Sequence, residues 1–236
     1  QFAIITDSGR RVKIAIISKM VVPDIALVDP QTTVSMPAAL TAATGMDALC
    51  HAFEAFVSNA SSAITDMAAL RSVQLIRENL AETCAAPENL TLRDNMMMAS
   101  LMAGLAFSNA SLGLVHAMAH SLGGGRDLPH GECNAILLEA VVRFNFFNAR
   151  DKYTQLASSM GIHTEGDPPE KVAEKLVGEL TRLRRKVGIT QRLQDMGVQP
   201  DEVHRLAENA AMDPCLATNP RIASVADIEQ ISREIY

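Results

Sequence analysis

The stretch MPAALTAATGMDALCHAFEAFVS, residues 36–58, decides how this chain is read. From Ala38 to Val57 its apolar residues recur at helical spacing. Ser35 and Pro37 mark the start, since proline is preorganised for the first helical turn, and Gly45 offers a point where the helix could break. Asp47 and His51 are four apart within it, so their side chains share one face, one turn apart. The same period continues toward the C-terminus. A second helix is predicted from about Ala63 to Thr83, stopped before Pro87. A third begins near Thr91 with Asp94 as its capping-box partner and carries Met96, Met97, Met98, Leu101 and Met102, where thioethers fill irregular gaps in a core. A fourth spans about Leu112 to Leu122 and ends on Gly123-Gly124-Gly125; a fifth follows His130-Gly131 through Phe147.

Beyond this block the chain reads as a smaller helical subdomain. Asp167 is the expected N-cap and Pro168 the first residue of an amphipathic helix closing at Gly188. Arg182, Arg184, Arg185 and Lys186 gather at its C-terminal end, where solvated cations suit the helix dipole. Ser224 with Asp227 opens a last helix that reaches Tyr236. Before the helical block, Phe2–Thr6 and Val12–Ser18 read as strands around the turn residues Asp7-Ser8-Gly9-Arg10, and Ile25–Val28 as a third strand ended by Asp29-Pro30. Three short strands make no stable sheet unaided. Together with the start at Gln1, they are expected to be the end of a larger sheet, so that residues 1–30 are strands left from a preceding domain and residues 31–236 an all-helical domain.

Composition narrows the function. With 21 basic and 27 acidic side chains the net charge is −6, which argues against binding a phosphate backbone, because that affinity comes from clustered Lys and Arg. Hydrophobic residues make up 48% and charged ones 20%, the balance of a globular protein rather than a disordered one. Aromatic content of 4%, with no Trp, favours close helix packing over a β-sandwich. No apolar run has the 18 or so residues of a membrane span, and no leader pattern opens the chain. Cys50, Cys84, Cys133 and Cys215 are far apart with no CxxC pair, so neither a disulfide framework nor a thiolate zinc site is indicated, and a reduced, cytoplasmic setting is expected.

The chemistry is written in the histidines. Of six, four (His51, His116, His120 and His130) lie in the apolar helical half. His116 and His120 are four apart in GLVHAMAHSLGGG, and His130 opens the next helix in LPHGECN. Burying so many polar rings unpaired is expensive, and one divalent cation satisfies them together with Asp47. Aspartate plus neutral imidazoles suits Fe(II), Zn(II), Co(II) or Mn(II). Such a site could act as a Lewis acid on a substrate oxygen; the rival use, activating water for hydrolysis or lysis, needs a carboxylate base, for which Glu54 and Glu132 are the nearby candidates. A metal-binding module without catalysis is a third reading.

At this point the chain resembles the iron-containing, or group III, alcohol dehydrogenases, which include lactaldehyde reductase, 1,3-propanediol dehydrogenase and butanol dehydrogenases. The segment quoted above carries the resemblance, with MAGLAFSNASLGLVHAMAHSLGG (102–124), LPHGECNAILL (128–138), MDPCLATNPR (212–221), and the opening FAIITDSGRRVKIAI and PDIALVDP. It implies a mainly α chain: an all-helical metal domain of the dehydroquinate synthase-like fold, after strands from a Rossmann-like nucleotide-binding domain. It implies metal ligands at Asp47, His51, His116 and His130, with iron the usual metal. His120 matches a position facing substrate and nicotinamide and is the candidate proton relay; Lys13 matches a lysine that contacts the dinucleotide; Phe107 and Cys215 match positions near the substrate pocket. The implied reaction is reversible hydride transfer between a primary alcohol or aldehyde and NAD or NADP in a homo-oligomer, expected as a dimer, with neither nucleic acid nor membrane as partner. Two departures stand out. The family's GGGS pyrophosphate loop is missing, and Gly123–Asp127 is no substitute because it follows a helix instead of a strand, so the chain by itself is expected to bind dinucleotide weakly and turn over poorly. Arg126-Asp127 and Glu139 also replace residues usual in the family, a change expected to alter the shape of the substrate pocket.

Overall fold

The computed structural model describes residues 2–7, 12–126 and 128–236, and side chains from Ile16 onward except at positions 17, 125 and 126. The turn at Ser8-Gly9-Arg10, Asp127, and the side chains of Lys13 and Arg126 therefore lie outside the described residues. Nine α-helices follow one hairpin among the described residues, as the sequence leads one to expect of a mainly α chain. The hairpin pairs β1 (Phe2–Asp7) with β2 (Val12–Ile17) antiparallel, Phe2 opposite Ile17 and Asp7 opposite Val12. The expected third strand does not form. Ile25–Val28 has no ladder partner among the described residues, and Asp29 instead caps a 3₁₀ turn at Pro30–Thr33 by accepting the Gln31 amide at 2.9 Å.

α1 (Ala38–Val57), α2 (Ala63–Ala85) and α3 (Leu90–Ala110) pack against one another, and α5 (His130–Asn145) lies against both α1 and α4 (Leu114–Arg126). α1 runs unbroken through Gly45, because the missing side chain makes room for Leu80 of α2; a Cβ there would sit 2.2 Å from a Leu80 methyl. Asn89 caps α3, its Oδ1 accepting the Thr91 and Leu92 amides at 3.0 and 3.3 Å, so Asp94 has no capping role. The buried stripe of α3 is Ala99, Ala103, Ala106 and Ala110. Met96 and Met102 only flank that core and Met98 is exposed, so small side chains that let backbones approach take the place expected for methionine. α4 does not stop at the triple glycine but runs through it to Arg126, glycine weakening a helix without ending it.

α6 (Arg150–Ser159) and α8 (Val203–Ala211) are short helices that the sequence reading did not resolve. α7 (Pro169–Lys186) is preceded by Pro168 rather than capped by Asp167, whose carboxylate instead holds Lys171 at 2.7 Å and also Lys175. It closes at Gly188, whose φ of +88° suits the residue without a Cβ. Arg184 is not a solvated cation of the helix end: its Nε donates to Glu139 Oε1 of α5 at 2.7 Å. Glu139 thus faces α7, where Thr181 also donates to it, and not a substrate pocket. α9 (Val225–Glu234) begins with the expected Ser224–Asp227 capping box and ends two residues short of Tyr236. Leu156, Leu176, Leu206 and Ile228 from these helices join the same buried cluster as Leu49 and Leu138, so the C-terminal helices share the core of the first five instead of forming a subdomain of their own. Among the described residues no single helix is long and apolar enough to cross a membrane.

Candidate metal centre

Three helices aim their polar faces at one point. α1 brings Asp47 and His51, α4 brings His116, and α5 brings His130 from its first turn. The close approach of α1 and α5 rests on Gly131, where a Cβ would stand 2.4 Å from the Ala43 carbonyl oxygen. Asp47 Oδ1 lies 3.9 Å from His51 Nε2, 3.5 Å from His116 Nε2 and 3.8 Å from His130 Nε2. Two donors on one ion with bonds of about 2.1 Å can be no more than about 4.2 Å apart, and all three separations meet that condition. Ligand atoms of Asp47, His51 and His116 form the tightest group, all within 4.8 Å of one another. The four residues named from the sequence are thus brought together, and an acidic oxygen with three imidazoles is a donor set that fits a divalent cation.

The surroundings prepare these donors. His116 is 1% exposed, and its Nδ1 meets Glu54 Oε2 at 2.6 Å, which leaves Nε2 to point at Asp47. Glu54 Oε1 accepts the Val115 amide at 2.6 Å, so the carboxylate holds the ring and the start of α4 at once. Leu114, the first residue of α4, donates its amide to Asn219 Oδ1 at 3.1 Å, and Asn219 exchanges amide hydrogen bonds with Asn145 at 2.9 Å. Gly113 lies in this crowd, where a Cβ would be 2.8 Å from Asn219 Oδ1. Burial alone would raise the Asp47 carboxyl, but the hydrogen bond from His116 and the charges of His51, His116 and His130 outweigh it and hold it well below the usual carboxylate range. Burial, helped by the charge of His116, pushes His51 down to about 3. Burial also works to lower His116, yet its bonds to Asp47 and Glu54 raise it above the ordinary imidazole value.

His120, one turn beyond His116, stays out of this group. Its side chain is 45% exposed, its Nδ1 meets Asp213 Oδ2 at 2.9 Å, and its ring stacks on His130 at 5.5 Å. Burial works to raise Asp213, but the bonds from His120 and the Cys215 amide bring it down to about 2. Cys215 lies beside this pair, its thiol raised by burial and by the Asp213 charge. Phe107 stacks on His51, ring centroids 4.5 Å apart. Glu54, one of the two carboxylates considered as a hydrolytic base, is spent on His116 and Val115.

Three residues of the site went unrecognised in the sequence. Glu54 as the carboxylate behind His116 could have been found, since it is seven residues after Asp47 on the same helix face. Asn134 follows His130 by four, repeating the spacing of the other two pairs. Its Nδ2 lies 2.6 Å from Asp47 Oδ1, 3.0 Å from His130 Nε2 and 3.2 Å from His116 Nε2. Asp213 carried no such signal, being 93 residues from His120.

Known proteins share this sequence and fold. The chain is 42% identical to the 1,3-propanediol dehydrogenase of Klebsiella pneumoniae, an alignment covering 99% of this chain and 60% of that protein. It is 40% identical to the NAD-dependent methanol dehydrogenase of Bacillus methanolicus, over 97% of this chain and 60% of that one. It superposes on the crystal structure of a 1,3-propanediol oxidoreductase with a TM-score of 0.96 at 42% identity, covering all of this chain and 62% of the other. The chain therefore spans about 60% of the length of the curated relatives it matches. Residues 41–236 match the Fe-containing alcohol dehydrogenase family, C-terminal, and with these relatives alongside, the chain belongs to the iron-containing alcohol dehydrogenases.

Proposed function

We propose that this chain is the metal-binding portion of a dehydrogenase that moves hydride reversibly between a primary alcohol or aldehyde and NAD or NADP. The convergence of Asp47, His51, His116 and His130 from three helices, in a chain of this family, carries the reading. These four residues would hold one divalent cation, iron(II) by family and zinc as the alternative, and a bound cation supplies Lewis acidity to the substrate oxygen. Glu54 holds His116 Nδ1, so that Nε2 faces the site and would offer its lone pair to a cation that displaces its proton. Phe107 steadies His51 by stacking and, with Cys215, walls the substrate pocket. Asp213 does for His120 what Glu54 does for His116: it fixes Nδ1 and leaves Nε2 to accept the alcohol proton and pass it to water. Lys13 is assigned to the dinucleotide, residues 1–30 to a nucleotide-binding unit and residues 31–236 to the helical unit. The working form is assigned as a cytoplasmic homodimer acting on small alcohols and aldehydes, without nucleic-acid or membrane partners.

Metal analysis tests the reading. The purified protein should carry one equivalent of divalent metal per chain, lost in His116→Ala and kept in His163→Ala and His204→Ala, both of which replace exposed histidines. In a protein that also carries the nucleotide-binding unit, aldehyde-dependent oxidation of NADH should vanish with a chelator and return with iron(II). Equal metal loss in all three variants, or ester hydrolysis in place of NADH oxidation, would overturn it.

A further inference from the structure

A second convergence of donors lies beside the metal centre. His120, Asp213 and Cys215 bring an imidazole nitrogen, a carboxylate oxygen and a thiol sulfur all within 4.8 Å of one another, and none of them belongs to the Asp47 group. The local backbone builds this arrangement. Asp213 caps the 3₁₀ turn Pro214–Thr218, its Oδ1 accepting the Cys215 amide at 2.8 Å, so the turn carries Cys215 back beside its own cap. Asp213 Oδ2 reaches across to His120 Nδ1 at 2.9 Å. The far end of the turn is tied down: Thr218 donates its hydroxyl to the Leu112 carbonyl at 2.6 Å, and its own carbonyl accepts the Asn59 amide at 2.9 Å. The His120 ring is steadied from its other side by stacking on His130, with 10° between the planes. With the side chain of His120 45% exposed and that of Asp213 15%, an ion reaches these donors from solvent without opening the core.

The donor types say which ion. Zinc bonds thiolate at about 2.3 Å and nitrogen or oxygen at about 2.0–2.1 Å, so neighbours in a tetrahedral shell stand roughly 3.3–3.6 Å apart. His120 and Asp213 are already closer than that, and the wider separations, none above 4.8 Å, close by side-chain rotation. Thiolate favours zinc, cadmium and other soft ions over magnesium, calcium or manganese, a preference that the sulfur-free group around Asp47 does not share. Charge fits as well. One carboxylate and one thiolate cancel the two charges of the ion, so a neutral site stands beside the first centre and a second cation meets little repulsion there.

We propose that His120, Asp213 and Cys215 form a second cation site, selective for thiophilic divalent ions such as zinc and completed by water, and that its occupation is inhibitory. As the sulfur–metal bond forms, Cys215 releases its thiol proton to water. The site itself stands on the three donors alone. Its inhibitory effect rests on the function proposed above, because an ion on His120 takes the relay away from the substrate.

Cadmium, whose bond to thiolate gives a charge-transfer absorption in the ultraviolet, is the probe. Titrated into the purified protein, it should raise that absorption to a plateau matching one thiolate per chain. Cys215→Ser should abolish the absorption, whereas Cys84→Ser, which removes the other half-buried cysteine, should keep it. Asp213→Asn should weaken cadmium binding at least about tenfold, the lower end of what even an outer-shell partner costs. No absorption in the wild type, or absorption that persists in Cys215→Ser, overturns the site. If Cys215→Ser does not fold, Asp213→Asn decides, and an unchanged cadmium affinity there overturns it. His116→Ala keeps the two centres apart: it should leave the absorption in place, and its loss there would overturn an independent site. In a protein that also carries the nucleotide-binding unit, zinc should slow NADH oxidation at about tenfold lower concentration in the wild type than in Cys215→Ser. Equal sensitivity overturns the inhibitory role, while a protein that oxidises no NADH at all but keeps the cadmium absorption would sink the proposed function and leave the site standing.

Discussion

His116 and His120 stand one turn apart on α4, and a carboxylate holds the Nδ1 of each, yet their surroundings are opposite. Glu54 and His116 are both buried, with the remaining imidazole nitrogen turned to Asp47. Asp213 and His120 sit at the edge, with His120 nearly half exposed. The same pair of functional groups is thus set up for two tasks. On the proposed reading the buried imidazole, its Nδ1 held by Glu54 and its Nε2 turned to Asp47, serves as a ligand, because water cannot compete for that nitrogen. On the same reading the half-exposed one serves as the relay, because water reaches it. His204 with Glu229 completes the gradient on α8 and α9, with the imidazole about two-thirds exposed. Burial, not residue type, separates the three.

The comparison breaks first at His120. His120→Ala, in a protein competent for turnover, should keep its metal and lose about 10²- to 10⁴-fold in kcat, the range typical of a general acid–base partner. Metal loss to match that of His116→Ala would make His120 a ligand and erase the distinction. Glu54→Gln comes next: the shape and the Val115 contact survive while the charge behind His116 is lost. Metal affinity, read by chelator competition, should fall about ten- to hundredfold. The smallest effect belongs to the exposed pair. Glu229 raises His204 above the ordinary imidazole value through their hydrogen bond, with Glu208 adding to it. A folded-state value raised in this way stabilises the protein below the ordinary imidazole value, and the benefit is lost as pH rises through the raised one. An NMR titration should place His204 above its usual midpoint and return it toward that midpoint in Glu229→Gln. Because the imidazole of this pair is exposed, the melting temperature of that variant should barely change. A large drop would show that surface pairs here matter as buried ones do.

Where helices run was legible from period and punctuation. α1 occupies the residues its pattern marks, and the Ser224–Asp227 cap starts α9 as expected. What failed were decisions made by partners distant in sequence. Ile25–Val28 has strand residues but no neighbour to pair with, and three glycines do not end α4. α3 buries alanines where methionines seemed apt, because α1 and α2 lie close against it. Spacing within single helices singled out Asp47 with His51 and His116 with His120, while His130 stood out at the start of its helix; which four of these are ligands came from the family resemblance. Glu54 and Asn134 carried the same kind of signal, but a carboxylate and an amide draw less notice than histidines. Asp213 had none, since its partner is reached only through the fold.

The hydrogen bond from Leu114 to Asn219 bears on the order of assembly. It joins residues 105 apart, and Asn219 also locks to Asn145. Closing so long a loop costs chain entropy before the contact returns anything, so this clasp forms late. The start of α4, which aims His116, is fixed by that clasp and by Glu54. A nascent chain that has not yet delivered Asn219 has Asp47, His51, His116 and His130 already in hand but not held in register. On the proposed reading, the register of the metal donors is therefore expected to be among the last features fixed as the chain folds.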